Sequence, residues 1–398
     1  MAEELSYILI TPYTIVKSRT GGVLSRLLSR VDLELVGTQI FAPSQELAEA
    51  YAASLYKQSV DTNSSSPKLL SDFVLKTFSP SNGRRHRVMM LLFKGEDACR
   101  KLSDIAGALY PENRSIESIT GETIRDTYAD LVKDQDGNIV YFEPAVMTPR
   151  TQETATQNMK IFAPFISNEP NIVENMAYPA NAKIERTLVI IKPDNWKYAS
   201  SRPGTIIDMF SRTGLRLIGC KKYQMTVSEA LEFYGPVRDA LISKLGPMFG
   251  ARAKVVLEKE FGLPLSIDMD KILSDSFGKE YAVDQFNKIV EFMSGTRPDK
   301  CPEEEMDSPG KVKCMVLIYE GVDAVQKIRD VLGPTDPTKA PGGTIRREFG
   351  HDVMVNTAHA SDSPENAERE MGIVRIQNNR CGKILREHIG MSHEDVGR

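Results

Sequence analysis

One histidine, His359, lies in a run of small and polar residues. The surrounding sequence is Asn356-Thr-Ala-His-Ala-Ser-Asp-Ser-Pro364, and we expect the histidine to lie in a loop. Ser363 and Pro364 predict a helix start directly after it, and the N–H groups at a helix N-terminus favour anions. Glu370, further along that helix, is placed to hold one ring nitrogen of His359. The other nitrogen would then be a nucleophile.

Basic residues precede this segment at intervals along the chain. Lys192, Arg329 and Arg346 are cations, and guanidinium groups bind phosphoryl oxygens in a bidentate way. Thr335 adds a hydroxyl in the turn Gly333-Pro-Thr-Asp-Pro337. A nucleophilic histidine, an orienting glutamate and a cationic cradle together predict phosphoryl transfer through a phosphohistidine.

The elements that would position these residues occur twice in the chain. Four segments recur in the same order: Tyr7–Tyr13 and Leu188–Asp194, Ser29–Gly37 and Ser211–Gly219, Val88–Gly95 and Cys314–Gly321, Gly121–Arg125 and Gly342–Arg346. The second copy has gained about forty residues, which we place around 237–311. We therefore predict two copies of one domain, residues 1–175 and 184–398.

Each copy begins with a strand, a turn, a helix and a second strand. Apolar residues predict a helix near 204–211, and Gly372 is expected to end the helix that begins at Pro364. The charged, proline-bearing piece Thr296–Gly310 is typical of an exposed loop. Antiparallel strands with helices on one face satisfy this order, so the predicted class is α+β.

Composition excludes several classes of protein. The 398 residues carry a net charge of −4, with 41% hydrophobic and 26% charged residues, which excludes collagen-like and wholly disordered chains. No apolar run approaches the ~20 residues of a spanning helix, and the acidic first residues do not resemble a secretory signal. We expect no nucleic-acid partner and no membrane partner.

The cysteines and acidic residues predict neither a disulfide framework nor a metal centre. The five cysteines are scattered and contain no Cys-x-x-Cys pair, which favours free thiols and a cytoplasmic location. Asp268-Met-Asp270 is expected to be an exposed turn rather than a metal site. We therefore predict no metal ligands from the protein.

The second copy resembles the nucleoside diphosphate kinase family over about residues 184–376. The resemblance rests on Lys192-Pro-Asp after the first strand, the Thr-Ile-Arg346 block and the Asn-x-x-His359-x-Ser-Asp-Ser segment. It implies a ferredoxin-like βαββαβ fold in each domain, with a four-stranded antiparallel sheet. It also implies transfer of the γ-phosphate of ATP or another nucleoside triphosphate to a diphosphate. The route would be ping-pong through phospho-His359.

The resemblance implies a role for each matching residue. Glu370 and Ser361 would orient His359, and a Mg²⁺ ion would bridge the phosphates. The nucleotide would be bound by Lys192, Tyr234, Phe286, Arg329, Thr335, Arg346 and Asn356. Lys192 and Asn356 would bind the sugar hydroxyls and assist the phosphates, and Arg329, Thr335 and Arg346 would hold the phosphate tail. Tyr234 would lie near the transferred phosphoryl group, and Phe286 would stack on the base. The resemblance also implies a homo-oligomer.

The second copy departs from the family pattern at a few positions. Ala360 follows the histidine where the family has glycine, and Gly342 stands where a proline is expected. The additional residues interrupt the helical hairpin that carries the tyrosine and the base-stacking phenylalanine. Tyr281 is therefore an alternative to Tyr234.

The first copy is predicted to be degenerate. Thr11 stands where the second copy has Lys192, Met147 aligns with His359, and Arg125 is retained. Its lone histidine, His86, lies before a strand in Arg84-Arg-His-Arg87 and cannot serve as the nucleophile. This inactive half keeps a second hypothesis open, a nucleotide-binding scaffold or regulatory protein with weak or no turnover.

Overall fold

The computed structural model describes residues 3–62, 65–110, 121–174, 176–378 and 380–391. The chain divides into two compact units. The larger unit comprises 1–222, 315–371 and 375–398, and the smaller comprises 223–314 and 372–374. Residue 175, the predicted end of the first domain, lies outside the described residues.

The first half of the chain supplies one sheet and its covering helices. In chain order its elements are β1 (Glu3–Ile10), α1 (Pro12–Val16), α2 (Thr20–Leu28), β2 (Glu34–Phe41), α3 (Gln45–Thr62), α4 (Ser65–Thr77), β3 (Val88–Glu96), α5 (Ala98–Ala106), α6 (Ile124–Tyr128), β4 (Asp130–Lys133), β5 (Ile139–Glu143), β6 (Val146–Met147) and α7 (Gln152–Asn168).

The second half repeats this plan around a long helical segment. Its elements are β7 (Ile184–Ile191), α8 (Arg202–Ser211), β8 (Arg216–Tyr223), α9 (Val227–Phe261), α10 (Asp268–Leu273), α11 (Lys279–Ser294), β9 (Cys314–Val322), α12 (Ala324–Leu332), α13 (Ile345–Phe349), β10 (Ala358–Ala360), α14 (Pro364–Ile373) and α15 (Arg380–Ile389). Helices α9 to α11 form most of the smaller unit.

The two sheets have the same topology. The strand orders are β2-β3-β1-β6 in the first copy and β10-β7-β9-β8 in the second, which is the first order read from the opposite edge. In both copies the first strand pairs antiparallel with the last and with the third. Because a helix follows the first strand and another follows the third, each copy is a βαββαβ unit. The predicted α+β class, with two four-stranded antiparallel sheets, is confirmed.

Strand register aligns the two copies residue by residue. In the first sheet Val146 lies opposite Ile10, and in the second Ala358 lies opposite Ile191. The left-handed residues recur as well, since Asp97 and Asp323 both have φ 54°. The repeat inferred from four short segments therefore extends to the backbone conformation.

Two glycines allow the helices α2 and α8 to approach each other closely. A Cβ on Gly21 would lie 2.2 Å from the main-chain nitrogen of Asp208, and one on Gly204 would lie 2.0 Å from that of Ser25. No other residue fits at these contacts, because real Cβ atoms do not approach backbone that closely. Corresponding helices of the two copies thus pack against one another.

Both faces of the first sheet are buried under helices, so the expectation of helices on one face is wrong for this copy. Ile8 and Ile10 join a core that also contains Val189 and Ile191 from the second sheet. The opposite face, including Tyr7, packs in a second core to which α15 contributes Leu385. The last described helix therefore packs on the first copy, and residues from both ends of the chain stabilise one unit.

Helix α9 begins with a capping box and ends at a glycine. Thr226 Oγ1 accepts from the Glu229 N–H at 3.1 Å, while the Glu229 carboxylate accepts from the Thr226 N–H at 2.9 Å. Gly262 ends the helix in the left-handed region, with φ 63°. Within the smaller unit a Cβ on Gly278 would meet the Gly246 carbonyl oxygen at 2.0 Å, so these two glycines bring α9 and the start of α11 together.

Three local expectations were wrong. Asp268-Met-Asp270, expected to be an exposed turn, forms the first turn of the helix α10. His359 lies in the short edge strand β10, not in a loop, because its backbone pairs with Ile190. Gly372 does not end α14, which continues to Ile373. The expected loop at 296–310 is largely exposed and contains two single 3₁₀ turns, Pro298–Lys300 and Glu303–Glu305. Within the described ranges, every helix is too short or too polar to cross a membrane.

Candidate functional site

The edge strand β10 and the helix after it set the position of His359. Ser363 Oγ accepts from the Asn366 N–H at 3.1 Å and caps the first turn of α14, as predicted. That cap sets the direction of the helix, and Glu370 lies on the turn that faces back to the strand. Its Oε2 is 2.9 Å from Nε2 of His359.

A second hydrogen bond holds the same carboxylate oxygen in place. Ser361 Oγ donates to Glu370 Oε2 at 2.6 Å and lies near the Leu188 carbonyl oxygen at 3.4 Å. Glu370 and Ser361 are buried, whereas the His359 side chain keeps 22% of its surface exposed. The glutamate is thus fixed from two sides and accepts from Nε2. The ring nitrogen outside this bond is Nδ1.

Lys192 follows directly on β7 and is buried beside Asn356. Its Nζ donates to Asn356 Oδ1 at 2.6 Å and to the Met354 carbonyl at 3.3 Å. The amide nitrogen of Asn356 donates to the carbonyl oxygens of Thr335 at 3.1 Å and Val353 at 2.8 Å. One asparagine therefore connects the end of β7 to the turn containing Thr335.

Arg346 and Arg329 bring positive charge to main-chain carbonyls in β10 and directly after it. Arg346 donates from Nη1 to the Gly333 carbonyl at 2.9 Å and from Nη2 to the Ala358 carbonyl at 3.0 Å. Arg329 is exposed on α12, with Nη1 3.4 Å from the Asp362 carbonyl. Arg346 thereby fixes the strand that carries His359.

Burial changes the pKa of charged groups at the end of β7. It lowers the pKa of Lys192 to about 7, and the nearby Arg346 contributes in the same direction. Burial also raises the pKa of Asp194 to about 6, against the opposing effect of Arg202. The protonation of the lysine therefore changes near neutral pH.

Comparison with known proteins matches this half of the chain to one family. The profile described as "Nucleoside diphosphate kinase" matches residues 185–243 and 300–379. The nucleoside diphosphate kinase of a Nitratiruptor species is 32% identical over 194 residues, which are 49% of this chain and 97% of that protein. That of Helicobacter pylori is 33% identical over 187 residues, 47% of this chain and 92% of that protein.

The chain belongs to the nucleoside diphosphate kinase family. The family assignment predicted from the residues around His359 is thus confirmed. Among solved structures, the Aquifex aeolicus nucleoside diphosphate kinase has a TM-score of 0.29 and 27% identity, covering 48% of this chain and 94% of that one. An NDP kinase from Pyrobaculum aerophilum has a TM-score of 0.33 and 27% identity, covering 48% of this chain and 94% of that one.

The nucleoside diphosphate kinase profile omits part of the helical segment. Residues 244–299 fall between its two matched stretches, inside the interval of 237–311 where the sequence placed the insertion. Tyr234 lies on α9 with its ring 4.9 Å from that of Phe233, and both Tyr234 and Phe286 are buried. Tyr281, the alternative, has its ring 3.8 Å from that of Phe249. The roles of these aromatic residues in nucleotide binding remain predictions.

Sequence reasoning missed Arg202 and Asn195. Arg202, at the start of α8, donates to the Phe349 carbonyl and lies 3.3 Å from Asp194 Oδ2. Asn195 donates to the Thr357 carbonyl at 2.8 Å. Thr357 has φ 78°, a strained left-handed conformation for a threonine. Asn195 and Arg202 lie close to Lys192 in the sequence, and this proximity is the signal that could have identified them.

The first copy carries different residues at the equivalent places. Met147 lies opposite Leu9, as His359 lies opposite Ile190, so the register confirms the alignment of Met147 with His359. Met147 is 1% exposed and packs in the core. Asn158, in place of Glu370, donates to the Tyr7 hydroxyl at 2.9 Å.

The position of Lys192 is also changed in the first copy. Thr11 Oγ1 donates to Oε1 of the buried Glu143 at 2.5 Å, and the Ala145 N–H donates to the same oxygen at 3.1 Å. This half of the kinase-like chain therefore holds apolar or neutral groups where the second half holds a histidine, a glutamate and a lysine.

Proposed function

We propose that the chain transfers the γ-phosphate of a nucleoside triphosphate such as ATP to a nucleoside diphosphate through a phosphohistidine at His359. The observation that supports this is the placement of His359. Its Nε2 bonds Glu370, which directs Nδ1 to act as the nucleophile. Lys192, Arg329 and Arg346 supply positive charge for the phosphates.

The proposed reaction has two steps. Nδ1 forms a bond to the γ-phosphorus while the bond between that phosphorus and the β,γ-bridging oxygen breaks, and the diphosphate leaves with the electron pair. A terminal oxygen of an acceptor diphosphate then bonds to the same phosphorus while the bond from phosphorus to Nδ1 breaks. The electron pair returns to the imidazole, and a nucleoside triphosphate leaves. Glu370 stabilises the positive charge that the ring gains, and Ser361 keeps the carboxylate aligned.

We propose that a divalent cation, Mg²⁺, enters with the nucleotide. Within the described part of the chain, no three His, Cys, Asp or Glu side chains cluster to hold a metal ion, so the protein would hold Mg²⁺ through the bound nucleotide. Phosphate oxygens are the hard ligands that Mg²⁺ prefers, so the nucleotide itself would hold it. When bound, the ion would neutralise phosphate charge. That the protein supplies no metal ligand stays a prediction.

The remaining residue roles are proposed on the same basis. Lys192 and Asn356 are proposed to bind the sugar hydroxyls and to assist the phosphates, Thr335 to bind the phosphate tail, Tyr234 the transferred group and Phe286 the base. Assembly into a homo-oligomer, the lack of a nucleic-acid partner and a cytoplasmic location also remain predictions.

Transfer of label from ATP tests this function directly. The protein is incubated with γ-labelled ATP, and the label is expected to be acid-labile and base-stable and to move to added GDP. His359→Ala should abolish it, whereas His388→Gln, a change on α15, should not. Label that persists in His359→Ala would refute the proposal. Label that forms but never moves to GDP would favour the regulatory alternative.

A further inference from the structure

A cavity of about 770 Å³ lies between the two copies, within the larger unit. Its walls come from α1 and α2 of the first copy, from the segments 169–174 and 176–177, and from α8 and β8 of the second copy. Apolar side chains form part of the lining, including Ile15, Ile172, Ile207 and Leu215. A cavity of this volume, with apolar walls and a few polar groups, is typical of a site for a small molecule.

Basic side chains line one side of this cavity. The run Arg84-Arg-His-Arg87, at the entry to β3, contributes four of them, and Arg216 on β8 contributes another. We call Arg84, Arg87 and Arg216 the arginine cluster. None of its members forms an ion pair with a carboxylate of the described residues, whereas Arg85 in the same run pairs with Glu169 at 3.1 Å.

The carboxylates of the cavity wall are already engaged. Glu169 is taken by Arg85, and Glu174 accepts from Arg186 at 2.5 Å. The nearby Glu320 accepts from the Tyr178 hydroxyl at 2.9 Å and from Arg186 at 2.6 Å. The arginine cluster therefore leaves an excess of positive charge at the cavity wall.

Main-chain contacts hold two members of the cluster in place. Arg87 Nη1 donates to the Leu217 carbonyl at 2.5 Å. Arg216 donates to the Ala177 carbonyl, and its guanidinium lies over the Tyr178 ring, 4.2 Å from the centroid. Burial first, and then the charge of Arg216, lower the pKa of Arg87 to about 10, against the opposing effects of Tyr178 and Glu320. Main-chain contacts thus hold two guanidinium groups close together, and such a pair can bind one phosphate group in a bidentate way.

We propose that this cavity binds a phosphate-bearing small molecule, with the arginine cluster on the phosphate and the apolar wall against the rest of the ligand. Guanidinium groups match phosphate geometry in a bidentate way, and the volume suits a nucleotide. The site is separate from His359, whose strand contributes no residue to the cavity lining. A ligand there would contact both copies and would stabilise their packing.

Charge reversal at Arg84 gives the cleanest test, because this side chain is exposed and enters no ion pair in the described structure. Binding of ADP and of inorganic triphosphate is measured by calorimetry for the wild type, Arg84→Glu and Arg84→Glu/Arg216→Gln. Arg252→Glu, which changes an exposed arginine on α9 outside the lining, is the matched control.

We expect Arg84→Glu to weaken one class of binding sites by roughly tenfold or more, and the double variant to remove that class. Arg252→Glu should bind as the wild type does. Loss of ADP and triphosphate binding together would show that phosphate suffices, and loss of ADP binding alone would identify a nucleotide. Equal binding by all four proteins would overturn the proposal. Labelling of His359 by ATP, followed in the same samples, reports separately on the proposed function.

Discussion

Arg346 and Arg125 make the same pair of hydrogen bonds in the two copies. Arg346 bonds the carbonyls of Gly333 and Ala358, and Arg125 bonds those of Gly107 and Val146. Ala358 and Val146 occupy the same register position in their sheets. The first copy has kept this arginine while losing the histidine, so the arginine stabilises the fold independently of any chemistry.

Substituting each of these two arginines distinguishes an effect on stability from an effect on activity. We expect Arg346→Ala and Arg125→Ala each to lower the free energy of unfolding by about 1–3 kcal/mol, because each leaves two carbonyls without a charged donor. Arg346→Ala should also lower kcat/KM by roughly tenfold or more, since it removes a cation near the phosphates. Arg125→Ala should keep kcat/KM within about twofold of the wild type.

Denaturant unfolding and steady-state kinetics on both variants check this. If Arg125→Ala reduced kcat/KM as much as Arg346→Ala does, the loss of activity would reflect the fold alone. A proposed phosphate-binding role for Arg346 would then be unsupported.

Glu370→Ala should slow phosphorylation of His359 by about 100-fold, because the imidazole loses its orienting acceptor and the carboxylate that stabilises its positive charge. Ser361→Ala should have a smaller effect, since Glu370 would remain but would be held from one side only. Single-turnover labelling with ATP measures both rates. Glu368→Gln, an exposed position on the same helix, is the control. Normal labelling in Glu370→Ala would contradict the assigned role.

The parts of the site that depend on local sequence were predictable. Ser363 and Pro364 start a helix, and the helical repeat then returns Glu370 to His359. Contacts between distant segments were not predictable, because they depend on how the elements pack. Arg202 reaches the carbonyl of Phe349, 147 positions away, and α15 packs on the first copy. Neither contact leaves a periodic or motif signal.

Restoring a histidine to the first copy should not restore chemistry there. Met147 is 1% exposed, so the imidazole of Met147→His would be buried, and Asn158 rather than a glutamate stands at the orienting position. In a His359→Ala background we expect no acid-labile phosphate on this variant. We also expect a stability loss of about 1–3 kcal/mol from burying a polar ring. Detectable phosphohistidine in the double variant would show that the first copy still binds nucleotide productively.

Proton uptake on ADP binding should report on Lys192. Burial and Arg346 hold the pKa of this lysine at about 7, so at pH 8 most molecules have it neutral. Bound phosphate favours the charged form, and binding should therefore take up as much as one proton at pH 8 and weaken as pH rises above 7.

Calorimetry in buffers of different ionisation enthalpy measures the uptake. Lys192→Arg should abolish it because arginine stays charged, and Lys197→Arg, at an exposed lysine, should not. Equal uptake in all three proteins would assign the proton to another group.

Glu143 gives the first copy a pH-dependent stability. Burial raises the pKa of its carboxyl to about 7, against the opposing bonds from Thr11 and Ala145, whereas the ordinary value is 4.5. Between these two values the folded chain keeps a proton that the unfolded chain has lost, so stability falls as pH rises through this window. Above pH 7 the cost of the buried charge is complete.

Glu143→Gln removes that charge and keeps an oxygen that can accept from Thr11 and Ala145. We expect it to raise the free energy of unfolding by roughly 2 kcal/mol at pH 8 and by little at pH 4.5. Thermal unfolding at the two pH values measures the difference, and Glu34→Gln, at an exposed position on β2, should show no such pattern. A gain at pH 4.5 as large as that at pH 8 would mean that the glutamine improves packing and that the carboxyl does not titrate in this range.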